Sequence, residues 1–157
     1  MPAYLLLKWV HILSSTLLFG TGLGSAFYMW QAHRSGDVAF LAQVSRSVVL
    51  ADWIFTTPAV IVQPLTGVAM VLLAGFPLSS SWLLLSLALY VLIGACWLPV
   101  VWLQMQVRQM AEQAQQQGRE IDARAHRYMR LWYALGWPAF TGVLFIFGLM
   151  VFKPILW

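Results

Sequence analysis

Charged residues are scarce in this chain of 157 residues. They make up 9% of it, against 61% hydrophobic residues, whereas soluble domains carry about 25% charged residues. A water-soluble fold of this length could not bury so much apolar surface. The composition therefore predicts one integral membrane domain over residues 1–157.

Cysteine and acidic residues are also rare. Cys96 is the only cysteine, which excludes an intrachain disulfide and CxxC zinc or redox motifs. The five acidic residues leave no helix with the paired carboxylates expected of a proton-driven transporter. A P-loop, a dinucleotide-binding loop and a nucleophile triad are missing as well, so few classes of enzyme chemistry remain.

Long apolar runs are abundant instead. A helix needs about 20 mostly apolar residues to cross roughly 30 Å of hydrocarbon. Four runs meet this requirement, and they cover residues 4–30, 51–75, 81–107 and 131–152. The sequence therefore predicts an all-α membrane protein, folded as an up-down bundle of four transmembrane helices.

Lysine and arginine are distributed unequally between the two ends of these runs. Only Lys8 and Lys153 fall at one end, and seven arginines fall in the first and third connections: Arg34, Arg46, Arg108, Arg119, Arg124, Arg127 and Arg130. Loops rich in Lys and Arg stay in the cytoplasm. We therefore expect both termini outside, in a multi-pass protein of the bacterial inner membrane. Its partners are membrane lipids, and the net charge of +4 does not indicate nucleic acid.

His11 is the residue within the membrane that most needs an explanation. At 1.5 Å per residue it lies roughly 10 Å inside the outer boundary of the first helix. A neutral imidazole at that depth needs a hydrogen bond or a metal ion. Two interpretations stay open: a bond to a Ser, a Thr or a carbonyl group on a neighbouring helix, or ligation of a haem iron.

Two cations stand near His11 at the outer end of the bundle. Lys8 comes three residues earlier, on the same helical face. Lys153 closes the fourth helix. Together they could hold the propionates of a haem or porphyrin, and anionic lipid head groups are the alternative.

A second axial ligand for such a haem is harder to assign. Met70 and Met150 lie near the outer ends of the second and fourth helices and are the sulfur candidates, although methionine in a membrane helix usually serves packing. His33 and His126 fall in the cytoplasmic segments, on the wrong side of the membrane to share an iron with His11. A five-coordinate haem is equally consistent with the sequence.

Small residues and one acid predict contacts between the helices. The pair Gly20 and Gly24 forms a GxxxG motif, and further glycines lie in the fourth helix; these are packing signals first, and room for a flat cofactor is the alternative. The motif is also compatible with a homodimer or a larger membrane complex. Asp52 is expected to pair with Arg46 or Arg130 at the cytoplasmic side.

Three short segments resemble the HemJ/CopD group of small bacterial membrane proteins. They are Lys8-Trp9-Val10-His11, Arg130 followed by aromatic residues and Pro138, and Met150 to Pro154 at the end. The chain is most similar to a bacterial integral-membrane family of unassigned function that is related to this group.

The resemblance implies a haem protein. HemJ proteins bind haem b and oxidise protoporphyrinogen IX, and their first-helix histidine and lysine correspond to His11 and Lys8. Their closing Lys-Pro corresponds to Lys153 and Pro154. They carry Asn-Glu before the proline of the last helix, where this chain has Gly136-Trp137.

The sequence thus leads to three hypotheses. The first is a small inner-membrane protein that binds haem b and has a redox or electron-transfer role. The second is a structural or accessory membrane subunit without a cofactor. The third is an enzyme that oxidises protoporphyrinogen IX.

Overall fold

The computed structural model describes residues 2–157, and these are almost entirely helical. The helices are α1, Pro2–Ser35; α2, Val38–Ala51; α3, Thr57–Ala74; α4, Ser81–Gln117; and α5, Ala123–Phe152. A π-helical turn, Asp52–Thr56, joins α2 to α3 without a break. The three elements together form one continuous rod of 37 residues.

Four helical rods are long and apolar enough to cross a membrane. The prediction of an all-α protein with four spanning helices is therefore confirmed. Which end faces the cytoplasm stays a prediction, and we call the end that carries the seven arginines the arginine-rich end. There the helices extend beyond the apolar runs, because residues outside the hydrocarbon can be polar and still helical.

Local signals set the ends of these helices. The Asp37 carboxylate accepts a hydrogen bond from the N–H of Ala39 at 2.8 Å and so caps the start of α2. Asp122 does the same for α5. Gly75 and Gly118 end α3 and α4 with φ angles of +70° and +59°, a backbone conformation that favours glycine.

The side chains are packed most closely at the two ends of the bundle. The larger cluster lies at the arginine-rich end and includes Met29, Leu41, Val107 and Met129, from α1, α2, α4 and α5. A smaller cluster around Trp82 lies at the opposite end. Many large apolar side chains between them are exposed, as expected where lipid is the solvent.

A hydrogen bond made possible by a proline joins α3 to α4. Pro64 has no N–H, so the carbonyl oxygen of Val60, four residues earlier, has no helical partner. The Tyr90 hydroxyl on α4 donates a hydrogen bond to that oxygen. Neighbouring helices commonly satisfy backbone groups that prolines free inside membranes.

Close helix packing uses fewer glycines than the sequence indicated. A Cβ atom on Gly142 would lie 2.9 Å from Cγ1 of Ile93, so α5 approaches α4 there. At Gly20 and Gly24, nothing within residues 2–157 lies within 4 Å of the Cβ position apart from the local backbone. The expectation that this GxxxG pair packs α1 inside the bundle is wrong, because that face of α1 has no neighbouring helix.

The expected ion pair between Asp52 and an arginine is also wrong. Arg46 bonds instead to Glu112 on α4 at 3.0 Å, and Arg108 reaches the same carboxylate oxygen at 3.1 Å. Asp52 is buried, whereas Arg46 is on the exposed side of α2. The two side chains therefore lie on different sides of the rod formed by α2 and the π turn.

Candidate functional site

His11 has both of its ring nitrogens in hydrogen bonds with α3. Nδ1 lies 2.9 Å from the hydroxyl oxygen of Thr66, and Nε2 lies 3.1 Å from Nε2 of Gln63. The carbonyl oxygen of the same Gln63 amide accepts a hydrogen bond from Ser14, one turn further along α1. Four polar side chains thus join α1 to α3.

The partners of His11 also indicate which of its ring nitrogens carries the hydrogen. Nε2 of Gln63 can only donate, so Nε2 of His11 accepts and Nδ1 carries the hydrogen. Nδ1 then donates to Thr66, whose own hydroxyl donates to the carbonyl oxygen of Val62 at 2.8 Å. The neutral imidazole therefore has a partner at each nitrogen, which is the first interpretation that the sequence left open.

The two lysines expected near His11 have different surroundings. Lys8 is exposed on α1, one turn before His11. Lys153 lies against aromatic rings, with Nζ 4.6 Å from the centre of the Phe76 ring and 5.6 Å from that of Trp82. These distances are typical of cation–π contacts. No hydrogen bond or ion pair within residues 2–157 joins either lysine to His11.

A haem iron at His11 does not fit this arrangement. An iron would have to displace Gln63 from Nε2, which is the only nitrogen that accepts. Of the sulfur candidates, Met150 packs against the cluster around Trp82, and Met70 is half-buried on α3. The haem b site formed by His11, the two lysines and these methionines stays a sequence-based prediction, and we derive no step through it.

A large cavity lies elsewhere, between α1 on one side and α4 and α5 on the other. Its volume is ≈ 780 Å³, which is in the range of small-molecule sites. Aromatic side chains form much of its wall: Phe19, Phe27, Trp30, Trp97, Trp137 and Phe140. None of the residues predicted to hold haem lines it.

The polar groups of the cavity are gathered at the arginine-rich end. Asp52 and Thr56 come from the π turn, Gln104 from the second half of α4, and Trp132 and Tyr133 from the first half of α5. Thr56 donates a hydrogen bond to the Asp52 carboxylate at 2.8 Å. Gln104 lies beside the same carboxyl group. The cavity is thus polar at one end and apolar over the rest of its length.

Two buried atoms at this polar end have no partner. Gln104 is 3% exposed and its Oε1 accepts no hydrogen bond; Trp132 is 6% exposed and its Nε1–H donates none, within the part of the chain that the structure describes. A buried polar group without a partner costs about 1–3 kcal/mol. An acceptor and a donor on two residues of the cavity wall are therefore without partners.

Asp52 and Thr56, the first and last residues of the π turn, both line the cavity. A π turn is wider than an α turn, and it allows Thr56 to bond back to Asp52 over four residues while both side chains are buried. Such turns inside α-helices are rare and frequently lie at functional sites. The only π turn in residues 2–157 is the one that lines this cavity.

The cavity is open on its lipid-facing side. Leu23 and Phe27 of α1 and Trp137 of α5 line it, yet they are 49%, 53% and 72% exposed. Side chains that are exposed at this depth of the bundle face the bilayer. A molecule dissolved in the membrane could therefore enter between α1 and α5 without passing through water.

Glycines at two lining positions widen the cavity. Gly22 of α1 and Gly136 of α5 both line it, and no side chain fills the space beside either of them. The sequence offered room for a flat molecule as an alternative role for its glycines. These two positions agree with that alternative.

A second polar group adjoins the cavity at the arginine-rich end. Nδ1 of His33 lies 3.3 Å from the hydroxyl oxygen of Tyr133, and Nε2 of His33 lies 2.9 Å from Nδ1 of His126. The sequence had placed both histidines on the side away from His11, which agrees with this position, but it gave no sign that they meet. Tyr133 belongs to both the cavity wall and this group.

Sequence reasoning missed the cavity and most of its polar residues. Gln104 lies in an apolar stretch without a motif, Trp132 counted only among the aromatic residues after Arg130, and Asp52 was interpreted only as the partner of an arginine. The one available signal was that Asp52 and Gln104 are polar residues within or beside spanning segments. That signal does not say that they share a site.

Comparison with known proteins identifies a family and nothing finer. Residues 5–154 match the family described as predicted integral membrane protein DUF2269, and the chain belongs to that family. No curated protein sequence and no solved structure matches significantly. The membrane assignment is thus supported by the family as well as by the four apolar rods.

Proposed function

We propose that this DUF2269 membrane protein binds a lipophilic molecule with an uncharged polar head in the cavity between α1, α4 and α5. The observation that carries the proposal is the pair of open hydrogen-bonding atoms, Oε1 of Gln104 and Nε1 of Trp132. A head group that donates to the first and accepts from the second satisfies both. Without an occupant, each would lower the stability of the protein by about 1–3 kcal/mol.

The shape of the cavity supports an elongated occupant. On α1 its lining runs from Leu18 to Trp30, and on α5 from Trp132 to Val143. At 1.5 Å per residue these stretches are about 18 Å and 16 Å long. The polar head lies at the arginine-rich end, and an apolar ring or chain extends from it toward the other end of the bundle.

The charges of the lining support an uncharged head. Asp52 is the only ionisable acid or base of the wall apart from Tyr133, and no Lys or Arg of residues 2–157 lines it. A carboxylate or phosphate would therefore enter an apolar cavity next to an acid and without a cation, which is costly. This argues against acidic lipids and porphyrin propionates as occupants of the polar end.

The proposal is tested by extracting what the purified protein holds. The protein is isolated in a mild detergent and extracted with organic solvent, and the extract is compared by mass spectrometry with total membrane lipid. We expect one lipophilic compound at close to one per chain. The double variant Gln104→Leu/Trp132→Phe should lose it.

A matched control and a contrary result complete the test. The double variant Gln113→Leu/Trp102→Phe changes the same residue types at exposed positions outside the cavity and should keep the compound. An extract with the composition of bulk lipid, the same for all three proteins, would overturn the proposal. The protein would then be better described as an accessory membrane subunit.

A further inference from the structure

We infer that Tyr133, His33 and His126 form a proton path between the cavity and the arginine-rich surface, and that the occupant carries an ionisable ring hydroxyl. The inference rests on the proposed function, because it requires an occupant in the cavity. It adds a chemical class, phenols and hydroquinones, and a reaction, the exchange of a proton with water at one end of the bundle.

The three side chains form an unbroken line from the cavity to the surface. Tyr133 lines the cavity, and its hydroxyl oxygen is 3.3 Å from Nδ1 of His33. His33 is half-buried, and its Nε2 is 2.9 Å from Nδ1 of His126. His126 is exposed. The line therefore begins at the occupant and ends in water.

Helix geometry holds the line in place. His126 and Tyr133 are seven residues apart on α5 and share one helical face. His33 lies in the last turn of α1 and sits between them, with ring centres 5.1 Å from His126 and 6.0 Å from Tyr133. Residues of the larger buried cluster, such as Ala32 and Met129, pack beside it.

Burial lowers the pKa of His33 and so favours a neutral, bridging imidazole at this position. Within hydrogen-bond reach the two histidines have each other and Tyr133. The charged residues within four positions of either histidine in sequence are all exposed: Arg34, Asp37, Asp122, Arg124, Arg127 and Arg130. A proton that reaches His33 is therefore passed on rather than held.

Imidazole is suited to this transfer because one nitrogen accepts while the other donates. His126 takes a proton from water at Nε2 and gives its Nδ1 proton to Nε2 of His33. His33 gives its Nδ1 proton to the Tyr133 oxygen, which gives its own proton to the phenolate oxygen of an occupant that has transiently lost its ring-hydroxyl proton. One proton enters, one proton is delivered and no electron moves; the reverse sequence releases a proton.

The polar end of the cavity has the groups that a ring hydroxyl requires. Oε1 of Gln104 can accept its hydrogen, and the indole N–H of Trp132 can donate to its oxygen. The aromatic side chains of the wall offer surfaces on which a flat ring can stack. A hydroxyl without a ring would use the same bonds but would gain little from those walls.

The test uses a probe whose protonation is visible. A nitrophenol with a nonyl chain absorbs differently as phenol and as phenolate, and its binding to the purified protein is measured by quenching of the cavity tryptophans. With protein in excess, the pH is changed rapidly in a stopped-flow instrument and the absorbance of the bound probe is followed. His33→Phe should leave the affinity unchanged and slow the response by at least about tenfold.

Two further variants separate the outcomes. His126→Gln removes the exposed end of the line and should also slow the response. This variant replaces His33→Phe as the test if His33→Phe fails to fold. His11→Gln, away from the cavity, should not change the rate. Equal rates in the wild type and both path variants would overturn the proton path alone, whereas absence of probe binding to the wild type would count against the proposed function itself.

Discussion

Nε2 of Gln63 donates a hydrogen bond to Nε2 of His11 over 3.1 Å, and this bond occupies the nitrogen that a haem iron would need. With Thr66 at the other nitrogen, His11 serves to join α1 to α3. Lipid tails give little driving force for helix association, so polar contacts of this kind contribute to holding membrane helices together.

Breaking this contact should lower the stability of the protein without changing its absorption spectrum. Thr66→Val and Gln63→Leu are each expected to lower the free energy of unfolding by about 0.6–2 kcal/mol, the usual range for hydrogen bonds between membrane helices. Unfolding in mixed detergent micelles measures the change. Thr141→Val, at an exposed position of α5, is the control.

Absorption spectroscopy separates the structural role of His11 from the haem hypothesis. We expect no Soret band when the wild-type protein is supplied with haem. A Soret band that disappears in His11→Ala would contradict the structural role and support the ligand role indicated by the sequence.

Gln104→Leu should make the empty protein more stable. The substitution replaces a buried amide that has an open acceptor with an apolar side chain of similar size. We expect a gain of about 1–3 kcal/mol in the free energy of unfolding of delipidated protein. Gln113→Leu, at an exposed position, should change it by less than about 0.5 kcal/mol. A loss of stability in Gln104→Leu would mean that the contact between the amide and the Asp52 carboxyl group contributes more than the open acceptor costs.

Gly22→Leu should close the cavity without unfolding the protein. The added side chain enters the space that Gly22 leaves along α1, and leucine favours a helix over glycine by up to about 1 kcal/mol. Retention of the extractable compound should fall, while unfolding is unchanged or slightly harder. Gly20→Leu is the matched control because Gly20 is two residues away, unconfined, and outside the cavity wall.

Acid should remove one local contribution at the start of α5. The hydrogen bonds from Arg124 hold the pKa of Asp122 below its ordinary value of 3.8. A depressed folded-state pKa means that this stabilisation is fully present above the unfolded-state value and is lost as the pH falls through the folded-state value. Melting curves of the wild type and Asp122→Asn should therefore differ at pH 7, begin to approach each other near pH 3.8, and coincide only once the pH is below the lowered pKa of Asp122.

The behaviour of a nearby acid gives the control for this pH dependence. Glu120 is exposed and makes no ion pair among the described residues, so Glu120→Gln should leave the melting temperature at pH 7 unchanged. A gap between the wild type and Asp122→Asn that widens on acidification would contradict the assignment.

The topology could be predicted from the sequence because it depends on the hydropathy of long segments rather than on single residues. The apolar runs indicated the number of spans, which is confirmed. The predicted spans cover the apolar parts of the helices, and the helices continue into polar residues beyond them. The 37-residue rod from α2 to α3 was missed since a π turn leaves no pattern in the residues.

The candidate site could not be predicted because its parts come from separate helices. Gln104, Trp132 and Asp52 are distant in sequence and meet only when α4, α5 and the π turn are packed. His11 was correctly identified as needing a partner, and its partner Thr66 lies 55 residues away. The need of a buried polar group can be read from a sequence, but the group that meets the need depends on the fold.

The exposed positions of Leu23, Phe27 and Trp137 have a consequence for measuring affinity. A compound that reaches its site through this side of the bundle is first concentrated in the hydrophobic phase, by about 0.8 kcal/mol for each buried CH₂ group. Its occupancy therefore depends on its mole fraction in the bilayer or micelle. Doubling the detergent at constant total compound should lower occupancy much as halving the compound does, and dissociation constants for this protein belong on a mole-fraction scale.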